Sequence, residues 1–272
     1  ATRHKGFVPV DDSTVAIARR DFDRDGKPDS LVLIRSGSAA SLPGPIGDAL
    51  MAFSDDGRLL WTVRGERVLS CGGEQYSAPW TISGVIVSPD ASAPRVWAAF
   101  HHHTWWPSYV AEILADGRQI PRYTQAGWIM SLAEWTTATG TWGVAAGVMN
   151  EPGLGSVVQF DLNGEEATLP ASDPRFQCST SSPGVTPARA VLLPNFEVTQ
   201  ALGSAYVAAD RVLPIGTELR VELGDSAIVA TLDADGRVRD LAASDGYWLR
   251  HEQLSSTQVL KHAVLSCPEL LS

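Results

Sequence analysis

The chain has 272 residues, 44% of them apolar, and its 21 Lys and Arg stand against 31 Asp and Glu for a formal charge of −10 and a pI near 5.0. That length buries a substantial core, as one large domain or two smaller ones. The acidic balance leaves no basic patch to neutralise phosphates, which argues against nucleic acid as a partner, and no apolar run approaches the length of a membrane span.

The chain opens ATRHKGF, with neither Met nor an apolar leader, which fits removal of a signal peptide or anchor, or a trimmed chain. The first informative stretch is DFDRDGKPD. Asp21, Asp23, Asp25 and Asp29 occupy loop positions 1, 3, 5 and 9, Gly26 at position 6 permits a sharp reversal, and the backbone carbonyl of Lys27 falls at position 7. Four carboxylates in one tight turn repel one another unless a cation sits among them, so the spacing points to a loop folded around one structural Ca2+. Position 12 is Val32, where an EF-hand needs a bidentate Glu, and the flanks VAIARR and SLVLIRS are β-branched and aliphatic. The loop therefore joins two strands.

The combination VAIARRDFDRDGKPDSLVLI, present once, resembles the FG-GAP or VCBS type repeat of bacterial and integrin β-propellers, in which an Asp-rich loop links adjacent strands of a blade. The resemblance implies a blade held by calcium. Four further segments read as strand, Asp-Gly or Asn-Gly turn, strand: LMAFSDDGRLLWTV, YVAEILADGRQIPRY, VVQFDLNGEEATL and AIVATLDADGRVRDL. With the strands that precede them they predict four-stranded antiparallel units at 13–64, 80–124 and 127–168, all within a propeller-like part spanning 1–169. A Pro/Ser/Thr-rich connection follows at 170–188. Residues 189–272 read as a further sheet, beginning at RAVLLPNFEVT, and a short helix in YWLRHEQLSSTQVLKHAVL, packed as one domain with the rest. The expected fold is all-β, a propeller-like array of four to five blades, with a β-sandwich as the alternative.

The segment AFHHHTWWPSYV stands out by composition. On a strand His101 and His103 face one way and His102 the other. Together with Trp105, Trp106 and Tyr109 they line a polar, aromatic blade end or inter-blade seam; exposed, such a patch suits a carbohydrate or peptide. Asn150-Glu151-Pro152 resembles the Asn-Glu-Pro of retaining glycosidases built on (β/α)8 barrels. That mechanism needs a second carboxylate, for which Glu222 and Glu252 are candidates by chain order, and that barrel needs alternating helices the sequence lacks. The acid pairs Asp11-Asp12, Asp55-Asp56 and Glu165-Glu166 flank turns and read as solvated. No GxSxG elbow, P-loop or Cys/His zinc cluster is present. Cys71, Cys178 and Cys267 leave open one disulfide with a free thiol, or three buried thiols.

The function these features suggest is a calcium-stabilised binding or scaffold protein outside the cytoplasm, with a protein or carbohydrate ligand. A glycan-active hydrolase or lyase using His101 to His103 or Glu151, and a self-associating subunit of a surface assembly, are the alternatives.

Overall fold

The computed structural model describes residues 17–35, 47–88, 94–104, 107–203, 207–224 and 227–262. Strands β1 (Ala18–Arg20), β2 (Asp29–Ile34), β3 (Ala49–Phe53) and β4 (Leu59–Val63) form a first antiparallel sheet in chain order. A small hairpin, β5 (Leu69–Cys71) and β6 (Glu74–Tyr76), leads to a second sheet built from β7 (Thr81–Val87), β8 (Val96–His101), β9 (Ser108–Ile113) and β10 (Gln119–Gln125). Strands β11 (Ile129–Thr137), β12 (Gly140–Met149) and β13 (Leu154–Phe160) begin a third.

The chain then departs from the expected hairpin. After Phe160, β14 (Ala167–Thr168) turns back and pairs parallel with β10, becoming the fifth strand of the second sheet. The third sheet is completed instead by β15 (Arg189–Leu193), from beyond the Pro-rich connection. The cause is Glu166, which stands next to β14 and was expected in solvent. It is 1% exposed, and its carboxylate accepts from Arg67 at 2.5 Å, Thr124 Oγ1 at 2.6 Å, and the N–H and hydroxyl of Ser181 at 2.7 Å each. An acid so far from water needs partners of this kind, and they lie on β10, in the Pro-rich connection and in the link between β4 and β5, not on β13.

Helix α1 (Glu197–Ala201) follows, and β16 (Ala209–Ile215), β17 (Glu218–Leu223), β18 (Ile228–Leu232) and β19 (Val238–Ala243) form a fourth antiparallel sheet in chain order. Helix α2 (Asp245–Ser256) begins two residues before the tail segment that reads as helical and ends inside it. The other Asp-Gly turns form as expected. Gly57, at φ +83°, donates its N–H to Ser54 O at 2.9 Å while Ser54 N–H reaches Arg58 O at 2.9 Å, and the same pair of bonds recurs at Leu114–Arg118 and Asp233–Arg237.

Strand alternation distributes the core. In the second sheet Ala98, Phe100, Tyr109 and Ala111 join Leu31, Leu50, Ala52 and Trp61 of the first sheet in one apolar layer. Trp97, Ala99 and Val110, on the opposite face, pack with Ile129, Ala145, Val158 and Phe160 of the third. Val144, Ala146 and Val157 then face Val212, Val221 and Ala230 of the fourth. Three apolar layers therefore bind four sheets in series. The two inner sheets are covered on both faces, which explains the continuous burial of β8 and β9 and departs from a two-sheet sandwich with one shared layer. Among the described residues no core layer joins the first sheet to the fourth. Cys71 and Cys178 are bridged, while Cys267 lies outside the described residues.

Candidate metal centre

The Asp-rich loop connects edge strand β1 to β2. Its own carboxylates organise the turn: Asp21 accepts from the N–H of Asp25 at 3.0 Å and of Gly26 at 2.9 Å, and Asp25 accepts from Lys27 N–H at 2.9 Å. Gly26 holds φ +88°, the left-handed conformation for which position 6 requires glycine. Asp29, the first residue of β2, is fully buried. Its Oδ2 accepts from Phe22 N–H at 2.7 Å and Asp23 N–H at 3.1 Å, while its Oδ1 is buried with no hydrogen-bond partner.

One oxygen from each of Asp21, Asp23 and Asp29 lies within 4.8 Å of the others. Oxygens no farther apart than this can share an ion that sits about 2.3–2.6 Å from each. Burial raises the Asp29 pKa most, the N–H groups of Asp23 and Phe22 oppose the rise, and the charges of Asp23 and Asp25 add to it. A desolvated carboxylate among like charges is the environment a divalent cation relieves. Of the five expected ligands, the structure brings these three together. Asp25 directs Oδ1 to the Lys27 amide, and the Lys27 ammonium reaches Asp55 at 2.8 Å, which raises its pKa.

Sequence spacing gave no sign that the β3–β4 turn closes over this loop. Besides Asp55, that turn contributes Arg58, whose Nη2 lies 3.2 Å from Asp23 Oδ2. Phe22 is buried beneath, edge-on to Trp61 at 6.1 Å. The loop is thus pinned by charge at its rim and by an aromatic pair at its base.

The histidine and aromatic segment divides. His101, the last residue of β8, is buried against Trp128 at 5.1 Å, and burial, the largest influence on it, lowers its pKa and favours the neutral ring. Tyr109 is 1% exposed, stacked on Phe100 at 4.8 Å and edge-on to Trp80 at 5.0 Å. It is a core residue, because β9 is covered on both faces. His103 is exposed and stacks on His102 at 4.5 Å. The strand ends at His101, so His101 and His103 do not share a strand face. His102 in turn touches Tyr76 and Trp80, with ring centroids at 5.3 and 5.4 Å. Trp105 and Trp106 lie outside the described residues.

Glu151 is engaged as a local acceptor. It takes hydrogen bonds from the Ser172 hydroxyl, from Ser172 N–H at 3.2 Å and from Asp173 N–H at 2.7 Å, and these hold its pKa below the usual glutamate range, the Ser172 hydroxyl most. An acid/base glutamate needs the opposite shift. Among the described residues no helix is long and apolar enough to cross a membrane.

No protein-family model matches the sequence, and no curated protein matches it. Among solved structures the chain is similar to a protein of unknown function from Bacteroides caccae, at 13% identity and a TM-score of 0.40, over 72% of this chain and 54% of that one. It is also similar to a structure described as that of a putative 6-phosphogluconolactonase from Bacteroides uniformis, at 14% identity and a TM-score of 0.33, over 80% of this chain and 69% of that one. The chain thus spans about half the length of the first of these structures.

Proposed function

We propose that the protein is a calcium-stabilised, extracytoplasmic binding or scaffold protein in which the four sheets act as the blades of a propeller-like array. One Ca2+ in the Asp21–Asp29 loop fixes edge strand β1 on β2. The observation that carries this reading is the buried carboxylate of Asp29, whose Oδ1 has no hydrogen-bond partner, in a cluster where one oxygen each of Asp21, Asp23 and Asp29 lies within 4.8 Å of the others. An isolated carboxylate oxygen in such a place is costly unless a cation meets it, and an all-oxygen, multiply charged donor set favours a hard ion. The three apolar layers support the blade reading, since stacked blades bury both faces of every inner sheet.

The Cys71–Cys178 bridge supports an oxidising setting, where millimolar calcium fills a site of modest affinity. On this reading the ligand surface is the end of β8 around the stacked His102 and His103, beside a pocket of about 200 Å3 whose walls include Tyr76, Pro107, Ala126, Asn150, Arg175 and Phe176. Its mixture of aromatic, amide and charged groups suits a peptide or a carbohydrate.

Melting with and without chelator tests the calcium part. With calcium at about 100 times Kd the ion adds about 2.7 kcal/mol, so chelation lowers Tm by roughly 5–10 °C, and Asp23→Ala abolishes the response. A melting curve unchanged by chelator would overturn the reading.

A further inference from the structure

A second cluster lies far from the loop in sequence, where α1 meets α2. Glu197 opens α1, His251 lies on α2, and His262 returns after the helix ends. The Nε2 of His251 and the Nε2 of His262 are each 2.9 Å from Glu197 Oε1, and 3.2 Å from one another. His251 is fully buried; the side chains of Glu197 and His262 are 20% and 26% exposed.

Protons alone do not satisfy this triangle. Each Nε2 carries at most one hydrogen and an ionised carboxylate carries none, so if both rings donate to Glu197 their two N–H groups face each other at 3.2 Å. The neighbouring hydroxyl sharpens the point. Ser255 Oγ donates its single hydrogen to the carbonyl of His262 at 2.7 Å, so towards His251 Nδ1, at 3.4 Å, it acts as the acceptor. Nδ1 then holds the ring hydrogen, and Nε2 presents a lone pair to the carboxylate. His251 Nε2 and Glu197 Oε1 then meet at 2.9 Å as two acceptors with no hydrogen between them, and a cation in place of a proton on His262 Nε2 would meet a lone pair from each of the three groups.

We infer that Glu197, His251 and His262 bind a first-row divalent transition metal of the zinc type through one carboxylate oxygen and two imidazole Nε2 atoms. Tetrahedral zinc with bonds of about 2.0–2.1 Å has ligand edges of about 3.3 Å, close to the edges of 2.9, 2.9 and 3.2 Å found here. Two nitrogens and one carboxylate also select a borderline ion over calcium. Ser255 is the positioning residue, holding the His251 ring and the backbone of His262 with one hydroxyl. The helix end makes the return possible: Gln258 takes φ +63°, and the N–H groups of Val259 and Leu260 both close on Leu254 O. Three protein ligands leave one coordination position, and a surface pocket of about 490 Å3 lined by Ser255, Gln258, Leu260, Lys261 and His262 lies alongside to admit water or an anionic ligand.

The test is a titration of the full chain with Co2+ in millimolar calcium, read by visible d–d absorption and followed by displacement with Zn2+. One equivalent of Co2+ develops the bands and one of Zn2+ removes them. Glu197→Gln and His262→Ala weaken binding by at least about 100-fold, whereas Asp23→Ala binds as the wild type does, which separates this site from the calcium loop. As a readout independent of any variant, ring 15N signals of two histidines shift on adding Zn2+ to the wild-type chain. Absence of d–d bands, equal binding by the variants, or unmoved ring signals would each overturn the assignment.

Discussion

Replacing Glu166 probes how the sheets are tied together. Its carboxylate joins Arg67, from the link after the first sheet, to Thr124 on β10 and to Ser181 in the connection, and it seats β14 against β10. Glu166→Ala removes all of these acceptors at once and leaves Arg67, whose side chain is only 18% exposed, with Thr124 Oγ1 at 3.1 Å and the face of the Tyr109 ring but no counter-charge. Breaking a buried pair from one side costs about 3–5 kcal/mol, or roughly 10 °C in Tm for a chain of this size. Urea unfolding followed by circular dichroism at pH 7 measures it. Adding Arg67→Met recovers part of the loss, because no uncompensated charge is then left. The pH dependence carries an independent sign. Burial pushes the Glu166 pKa up, yet Arg67, Ser181 and Thr124 together hold it below the ordinary 4.5. The group therefore contributes stability above the unfolded value and loses it as pH falls through the folded one. Wild type shows this acid loss and Glu166→Gln does not. A Glu166→Ala variant within about 1 kcal/mol of wild type would refute the reasoning.

Reduction of Cys71–Cys178, which closes a separation of 107 residues, is expected to cost about 2–4 kcal/mol; identical melting with and without reductant would contradict a bridge that constrains the unfolded chain. Gly147→Ala places a Cβ 1.8 Å from the backbone oxygen of Trp128 on the neighbouring segment, so denaturant unfolding should show a loss of about 3 kcal/mol. Gly246→Ala in α2 meets nothing closer than Ser244 Oγ at 3.4 Å, and gains about 0.5–1 kcal/mol from helix propensity in the same assay. Equal stability of these two variants would count against the packing described for β11 and β12.

What the sequence discloses depends on how far apart the interacting groups stand. All the expected calcium ligands fall between Asp21 and Asp29, so spacing alone exposes the loop, and each Asp-Gly turn is local chemistry. The exchange between β14 and β15 is not local. Glu166 finds Thr124 at a separation of 42 residues and Arg67 at 99, and neither partner is marked by any motif. Tyr109 reads as a surface aromatic only while β9 is taken to have a solvent face; once a sheet is covered on both sides, composition no longer separates core from rim. The Glu197, His251 and His262 site is hidden for the same reason, with separations of 54 and 65 residues. The spacing of its two histidines across a helix end follows no metal-binding pattern, and the signal that reveals it is a triangle of donor atoms.

Calorimetric titration of the chain with Ca2+, alongside Asp29→Asn, tests the central claim most directly. Asn retains an acceptor for the N–H groups of Phe22 and Asp23 while removing the charge that faces the ion. The account predicts one calcium per wild-type chain and none for Asp29→Asn. Absence of binding heat in the wild type, or the same stoichiometry and affinity in both proteins, would contradict it.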